Sequence, residues 1–219
     1  PPYGDTVYKW DSVIPITKMW EQLHRIIKPN GAIILFGKEP FSSKLRLSNI
    51  ENYKYDWKWK KNKPGDFFNA KYKPLNNYED IIVFSNGKTA NCNINNMPYY
   101  PQGLTDCNIT RQPKNGIYAR PSTDGKIYKQ TKTNYPRTVL EFAHDTSNLH
   151  PTQKPVALLE YLIRTYTKEN ETVLDFTMGS GSTGAACVNT NRNFIGIELT
   201  DQYYEVSKNR LAKEVICKS

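Results

Sequence analysis

The chain has 219 residues, of which 38% are hydrophobic, so it can form one substantial α/β domain with a smaller insertion but is short for two full domains. No run of 18 apolar residues is present, which excludes a membrane-spanning helix, and the four cysteines form no C-x-x-C pair, which argues against zinc. The formal net charge is +9, and residues 150–219 contain eight basic and eight acidic residues, so all of the excess positive charge lies in residues 1–149. We expect a cytoplasmic protein with reduced thiols, no metal site and a basic N-terminal part.

Residues 1–85 show alternating helix and strand patterns. Apolar residues recur at helical spacing over residues 14–27, and the Lys-Pro-Asn-Gly sequence that follows predicts the end of that helix. Residues 32–36 are all apolar, which predicts a strand in a sheet covered on both faces. The remaining predicted elements of this part are a short helix at 40–47 and strands at 55–59 and 80–84.

Residues 86–149 differ in composition, since Asn, Gly, Pro, Lys and Thr predominate and apolar runs are short. We interpret this segment as an irregular insertion with short strands, because a loop-rich segment of this length in a compact domain is usually functional or disordered. Strands that alternate with helices favour a mainly parallel sheet, and this alternation returns after the insertion. The predicted elements there are helices at 156–166, 182–190 and 201–215 and strands at 172–176 and 193–198.

Two clusters, residues 54–73 and residues 111–137, contain most of the excess charge, and in both of them basic side chains are interleaved with aromatic ones. Lysines can bind phosphates while aromatic rings stack on bases, so this mixture favours a nucleic-acid partner over an ordinary solvated basic surface. The aromatic residues in and beside the clusters are Tyr53, Tyr55, Trp57, Trp59, Phe67, Phe68 and Tyr72, then Tyr118, Tyr128 and Tyr135.

A glycine-rich turn at residues 177–184 lies between a predicted strand and a predicted helix. Glycine lets the backbone approach a ligand closely, and the first N–H groups of a helix are available to anionic oxygens. Glu198, at the end of the next strand, can accept both hydroxyl protons of a ribose. Gly179, Gly181 and Gly184 also match G-x-G-x-x-G, so a dinucleotide site is an alternative.

The position of this turn in the chain distinguishes the two kinds of cofactor. Only 21 residues follow Glu198, whereas a dinucleotide domain normally has its glycine turn first and the rest of its sheet downstream. Asp175, directly before the turn, can face a cationic amine. We therefore favour a nucleoside that carries an amino acid over a dinucleotide.

The Pro-Pro-Tyr-Gly sequence at residues 1–4 can bind an amino group. Proline has no N–H donor and holds the preceding residue extended, so the backbone offers carbonyl acceptors without competing donors. The ring of Tyr3 can stack on the base that carries the amine. By itself this short sequence is more typical of a proline-rich turn with a surface tyrosine.

Several motifs occur together in one order: Pro-Pro-Tyr-Gly at 1–4, Trp-Asp at 10–11, Gly-Ala-Ile-Ile-Leu-Phe at 31–36, His-Pro-Thr-Gln-Lys-Pro at 150–155, Asp-Phe-Thr-Met-Gly-Ser-Gly at 175–181 and Phe-Ile-Gly-Ile-Glu at 194–198. Over essentially the whole chain this order resembles the β-class amino-methyltransferases, which modify N6 of adenine or N4 of cytosine in DNA. The resemblance implies an α/β, Rossmann-like class I methyltransferase fold with a mostly parallel twisted sheet, helices on both faces and an inserted target-recognition region. It divides the chain into a catalytic half at 1–85, a variable target-recognition insertion at 86–149 and an S-adenosylmethionine-binding half at 150–219.

The resemblance also implies a role for each motif. S-adenosylmethionine would be bound by Asp175, Phe176, Gly179, Gly181, Thr183 and Glu198, together with Thr152, Gln153 and Lys154. The catalytic residues that line the pocket of the target base would be Pro1, Pro2 and Tyr3. The partner would be double-stranded DNA with the target base flipped out. The family has an acidic or hydroxyl residue directly before the first proline, so we expect this chain to be part of a longer protein.

The expected reaction is site-specific methyl transfer to N6 of adenine in DNA. Methylation of cytosine N4 is the first alternative. An enzyme that methylates RNA bases shares all of the motifs, and a nicotinamide-dependent oxidoreductase or a non-catalytic DNA-binding module with the same fold are further alternatives.

Overall fold

The computed structural model describes residues 1–5, 8, 11–89, 94–111, 127–145 and 149–218. The helices within these residues are α1 (Ile16–Ile26), α2 (Phe41–Leu47), α3 (Val156–Tyr166), α4 (Ser182–Thr190) and α5 (Asp201–Lys218). The strands are β1 (Ile33–Gly37), β2 (Tyr53–Gly65), β3 (Asn76–Phe84), β4 (Thr105–Arg111), β5 (Tyr128–Thr133), β6 (Val139–Glu141), β7 (Thr172–Asp175) and β8 (Asn193–Gly196). Every helix and strand predicted outside the insertion is present, and β2 and β3 extend into a longer hairpin than expected.

Four strands form the main sheet in the order β1-β3-β2-β6. β3 is antiparallel to β1 and to β2, and β6 is parallel to β2, so three of these four strands run in the same direction. β7 and β8 form a separate parallel pair. β3 departs from the predicted parallel arrangement because it follows β2 through a hairpin, and strands joined by a short turn are antiparallel.

β3 lies inside the main sheet, between β1 and β2, and is covered on both faces. Ile82 and Phe84 pack on one face, and Ile81 and Val83 pack on the other, because successive residues of a strand point to opposite sides. The first face is covered by side chains of α1 and α2, namely Met19, Trp20, Leu23, Phe41 and Leu45. The second face is covered by side chains of α3, namely Leu158, Leu162 and Tyr166.

A third apolar cluster connects α3 with α4 and with the β7–β8 pair. Its buried members are Leu159, Ile163, Ala186 and Cys187. The partly buried side chains that pack against it include Phe36 of β1, Val173 of β7 and Phe194 of β8. Because β1 and β7 contribute to the same cluster, the β7–β8 pair lies beside the main sheet.

The chain divides into two compact units. One unit comprises Pro1–Tyr100 and Thr138–Ser219, and the other is Pro101–Arg137, which contains the antiparallel pair of β4 and β5. The second unit lies inside the predicted insertion at 86–149, whose own bounds remain a prediction. No helix in the described part of the chain is both long enough and apolar enough to cross a bilayer.

The stacking surface predicted for residues 54–73 is wrong for its first half. Trp57 and Trp59 are 4% and 1% exposed and belong to the core. The indole N–H of Trp57 donates to the hydroxyl of Tyr166 (2.6 Å), and that of Trp59 donates to the carbonyl oxygen of Phe142 (2.8 Å). Side chains that alternate along a strand share one face of the sheet, and this face is buried under α3.

The other aromatic residues of the two clusters lie in different environments. Tyr53 and Tyr55 are half-buried against the core. Phe67, Phe68, Tyr72 and Tyr135 are exposed. Tyr118 lies outside the described residues.

Candidate active site

One buried carboxylate holds the Pro-Pro-Tyr-Gly segment. Asp11, which is 8% exposed, accepts the backbone N–H groups of Tyr3 (2.9 Å), Gly4 (3.0 Å) and Asp5 (2.9 Å). Gly4 has a φ of 70°, a left-handed conformation that glycine adopts without strain. Both prolines are half-buried. Charge-assisted hydrogen bonds therefore fix the turn that directly follows the prolines.

The ring of Tyr3 has defined neighbours. Its hydroxyl donates to Oε2 of Glu79 (3.2 Å), and burial together with the charge of Glu79 raises the pKa of Tyr3 well above its ordinary value, so the hydroxyl stays protonated. The ring stacks on Phe41, with 5.3 Å between centroids and 27° between planes. Nζ of Lys154 lies 5.6 Å from the centroid of the tyrosine ring. One face of the ring is therefore covered by Phe41, and the charge of Lys154 lies against the ring.

Glu79 of β3 is the centre of a buried charge cluster. Its Oε2 lies 3.0 Å from Nζ of Lys154, and its Oε1 contacts Nζ of Lys61. Burial by itself raises the pKa of Glu79, but the charges of Lys154 and Lys61 lower it to about 2. Glu79 is therefore ionised at neutral pH, and it fixes Lys154 beside the ring of Tyr3.

The segment at 150–155 contacts both predicted parts of the site. Lys154 reaches Glu79, as described above. Oε1 of the neighbouring Gln153 accepts a hydrogen bond from the hydroxyl of Ser180 in the glycine turn (3.2 Å), and its Nε2 donates to Asp145 (3.1 Å). Two consecutive side chains thus connect β3 with the glycine turn.

Thr152 is exposed and lies against the imidazole of His150. Nδ1 of His150 accepts the N–H of Thr152 (3.2 Å) and lies 3.1 Å from its hydroxyl. The same imidazole lies against the glycine turn, since a Cβ on Gly179 would be 3.5 Å from it. With a φ of 51°, Gly179 has a left-handed backbone, so its conformation favours glycine, although a Cβ would make only an ordinary contact with His150.

Asp175 ends β7 with its carboxylate held inside the turn. Its oxygens accept the backbone N–H of Thr177 (3.1 Å) and the hydroxyl of Thr183 (2.5 Å). Gly181 has a φ of 74°, and a Cβ there would be 3.0 Å from Cβ of Ser207. The turn therefore packs against α4 and α5. Thr183 is hydrogen-bonded to Asp175, the residue predicted to bind the amine of the cofactor.

Glu198 follows β8 and faces the same turn. Its Oε2 accepts the backbone N–H of Gly179 (2.9 Å), and its Oε1 accepts that of Thr200 (2.9 Å). A carboxylate has more acceptor sites than these two. Hydroxyl groups of a ligand can therefore still bind to Glu198.

The structure brings the opening segment and the glycine turn together. The segment at 150–155 joins them, because Lys154 lies against the ring of Tyr3 and the neighbouring Gln153 binds Ser180 in the turn. Tyr3 and Phe176 pack against the same apolar cluster. Side chains from opposite ends of the chain thus form one site.

Sequence reasoning missed the charged side chains that hold this site, namely Asp11, Lys61, Glu79 and Asp145. Asp11 belongs to the Trp-Asp motif, but the motif gives no indication of the backbone groups that it binds. Glu79 directly precedes the predicted strand at 80–84, which is a signal that it lies beside the core. Its partners could not be predicted, because Tyr3 and Lys154 are far from it in sequence.

A comparison with protein families gives a match over nearly the whole chain. The DNA methylase family N6_N4_Mtase matches residues 5–209. The chain belongs to this family. The predicted resemblance to DNA amino-methyltransferases is therefore confirmed.

Two relatives show how far the similarity extends. The chain is 45% identical to the putative methylase YubD of Escherichia coli (strain K12) over 74 residues, which are 34% of this chain and 33% of YubD. It is 27% identical to the type II methyltransferase M2.LlaDCHI of Lactococcus lactis subsp. cremoris over 214 residues, which are 95% of this chain and 71% of that protein. The match thus spans a third of YubD and about seven tenths of M2.LlaDCHI.

A solved structure supports the fold. The crystal structure of the M1.HpyAVI–SAM complex has a TM-score of 0.60 and 28% sequence identity to this chain, and the match covers 91% of this chain and 84% of that one. This similarity confirms the predicted Rossmann-like class I methyltransferase fold.

Proposed function

We propose that this chain forms the catalytic part of an S-adenosylmethionine-dependent DNA methyltransferase, which transfers a methyl group to N6 of a flipped adenine. The observation that carries the proposal is the meeting of the opening segment with the glycine turn: Lys154 lies against Tyr3, and the neighbouring Gln153 binds Ser180 in the turn. Membership of the DNA methylase family and the similarity to a type II methyltransferase support the same activity.

The residues of the glycine turn fit S-adenosylmethionine, which the M1.HpyAVI complex contains. Asp175 offers a carboxylate to the amine of the methionine part, and Glu198 offers acceptors to the two ribose hydroxyls. Lys154 has three donors, of which Glu79 and Thr152 take some, and it would lie near the methionine carboxylate with Thr152 and Gln153. When bound, this cofactor supplies the methyl group on its sulfonium.

The opening segment would bind and orient the target base. An exocyclic amine is a weak nucleophile, because its lone pair is delocalised into the ring. The acidic or hydroxyl residue expected directly before Pro1 and the carbonyl of Pro1 would hold the two hydrogens of the amine. They would thereby direct its lone pair toward the methyl group, which accelerates transfer by orientation and electrostatics. Stacking on Tyr3, worth about 1–3 kcal/mol, would offset part of the cost of flipping the base.

We propose a cytoplasmic location for the protein. We propose duplex DNA as its partner, because the excess positive charge lies outside the cofactor half. The compact unit Pro101–Arg137 contains seven Lys or Arg and two Asp or Glu residues, which suits contacts with phosphates. We propose this unit as the core of the target-recognition region.

The full-length protein tests the function directly. With S-adenosylmethionine that carries a tritiated methyl group, it should label duplex DNA, and nucleoside mass spectrometry should identify N6-methyladenine. If the product is N4-methylcytosine, the target base is cytosine and not adenine. If only a matched RNA is labelled, the substrate is RNA and not DNA. If neither nucleic acid is labelled, the proposed activity is wrong.

Substitutions in the site separate cofactor binding from turnover. Asp175→Ala and Glu198→Ala should abolish S-adenosylmethionine binding in calorimetric titrations, whereas Tyr3→Ala should lower turnover strongly and leave cofactor affinity nearly unchanged. Glu205→Ala, which removes an exposed carboxylate of α5, is the matched control. Unchanged cofactor binding in the Asp175 and Glu198 variants would contradict the assignment of the glycine turn.

A further inference from the structure

Three aromatic rings are exposed at the end of the β2–β3 hairpin, which we call the hairpin tip (residues 66–75). Phe67, Phe68 and Tyr72 are 77%, 98% and 86% exposed. A single exposed apolar side chain is normal, but a group of large rings on one short turn marks an interaction surface. The hairpin tip is therefore a candidate contact for a partner that binds planar groups.

The hairpin tip is an ordered turn. Asp66 has a left-handed φ of 65°, and its carbonyl accepts the N–H of Asn69 (2.9 Å). The carbonyl of Asn69 in turn accepts the N–H groups of Tyr72 (2.9 Å) and Lys73 (3.1 Å). These hydrogen bonds fix the backbone that carries the rings, so binding a partner would cost little ordering of the chain.

The charge around the rings is positive. Residues 60–76 contain five lysines and one acidic residue, Asp66. Lys73 pairs with Asp66 (3.0 Å), while Lys63 and Lys71 are exposed. Exposed rings beside exposed lysines complement a ligand that has both planar bases and phosphates, whereas an apolar protein surface would gain nothing from the lysines.

An ion-pair bridge places the hairpin tip beside the opening segment. Nζ of Lys38 lies 2.8 Å from Oδ2 of Asp5 and 3.5 Å from Oδ2 of Asp66. Asp5 is two residues after Tyr3, and its N–H is held by Asp11. DNA that delivers a base to the Pro-Pro-Tyr-Gly segment would therefore pass close to the rings of the hairpin tip.

We propose that the hairpin tip contacts the DNA duplex next to the flipped base, with its aromatic rings wedged into the base step that flipping opens and its lysines on phosphates. The position of this contact next to a flipped base rests on the proposed function. The contact itself is a separate property, because affinity for DNA can be measured without turnover.

The test measures the affinity of the full-length protein for a fluorescein-labelled duplex of mixed sequence by anisotropy. The double variant Phe67→Ala/Phe68→Ala should bind about 10-fold or more weakly, since each stacked ring contributes substantially to affinity. Phe68→Trp should retain affinity. Leu47→Ala, which removes another largely exposed apolar side chain, is the control and should bind like the parent protein.

The lysines are tested through salt dependence. Lys71→Gln should weaken DNA binding and reduce the slope of log affinity against log salt by about one, while Lys208→Gln, in an exposed lysine of α5, should not. Thermal melting checks that every variant is folded. We expect all of them to fold, because the replaced side chains are exposed. The lysine variant decides the question if the double variant is not folded.

Equal DNA affinity in parent, double and Lys71 variants would overturn the hairpin tip as a DNA contact, even if methyl transfer proceeds. The DNA contact would also be overturned if the variants kept the DNA affinity of the parent protein but lost self-association in sedimentation or binding to anionic vesicles. A protein that transfers no methyl group, yet loses DNA affinity in these variants, would refute the proposed function and support the contact.

Discussion

The two ends of the β2–β3 hairpin have similar compositions and opposite environments. We call residues 53–61 of β2, with their β3 partners, the hairpin base. In the hairpin base Trp59 is 1% exposed and Lys61 pairs with the buried Glu79, whereas at the hairpin tip Phe68 is 98% exposed and Lys71 is exposed. Aromatic and basic residues alternate in both parts, so composition does not determine where they lie.

Strand pairing accounts for the difference. In the hairpin base, Trp57 is paired with Ile81 and Trp59 with Glu79, and this part of β3 is covered by helices on both faces. Regular pairing of β2 with β3 is interrupted after Lys60, and the next residue of β2 that pairs with β3 is Gly65. Rings before this interruption enter the core, and rings after it remain in solvent.

The largest expected effect is on stability. Trp59→Ala should lower the free energy of unfolding by about 3–5 kcal/mol, because it leaves a large cavity and removes an N–H donor from the carbonyl of Phe142. Phe68→Ala should change it by no more than about 0.5 kcal/mol, since the ring is in solvent. Urea unfolding followed by circular dichroism measures both. Equal losses would show that the hairpin tip is packed in solution and would remove the contrast between tip and base.

The second prediction concerns the charges of the hairpin base. The pKa of Glu79 is about 2 in the folded protein and 4.5 ordinarily, so its ionisation stabilises the fold above pH 4.5 and this contribution is lost as the pH falls toward 2. Glu79→Gln should lower the free energy of unfolding at pH 7 by about 3 kcal/mol. The variant should also show a flatter loss of stability between pH 4.5 and pH 2.

An exposed ion pair between the hairpin and β6 provides the control. Glu141 lies 2.9 Å from Lys60 and is 69% exposed on its side chain. Glu141→Gln should therefore cost less than about 1 kcal/mol and leave the acid limb unchanged. If Glu79→Gln behaved in the same way, the buried cluster would not hold the site as the distances indicate.

The regular elements could be predicted because their patterns are local. The helical spacing of α1 and the apolar run of β1 predict both elements within a residue or two. The reversed direction of β3 could not be predicted from its own residues, since it depends on a hairpin whose ends are Gly65 and Asn76. The burial of Trp57 and Trp59 depends on the same pairing.

The candidate site divides in the same way. Asp175 ends a strand, Gly181 lies in the turn and Glu198 lies just after the end of the next strand, so a local motif predicts their proximity. Glu79 and Lys154 meet only after the hairpin and the segment at 150–155 have packed together. Long-range ion pairs of this kind leave no signal in a single sequence.

The third prediction is Tyr3→Phe, which links the hairpin base to the opening segment and should have a smaller effect than Trp59→Ala or Glu79→Gln. It removes the hydroxyl that donates to Glu79 but keeps the ring on Phe41, and Glu79 keeps both of its lysines. The free energy of unfolding should therefore fall by about 1–2 kcal/mol, and methyl transfer should persist, in contrast to Tyr3→Ala. Tyr78→Phe, in a more exposed tyrosine of β3, should be neutral in both assays. If Tyr3→Phe lost turnover as completely as Tyr3→Ala, the hydroxyl and its bond to Glu79, rather than the stacked ring, would be the feature of Tyr3 that the reaction requires.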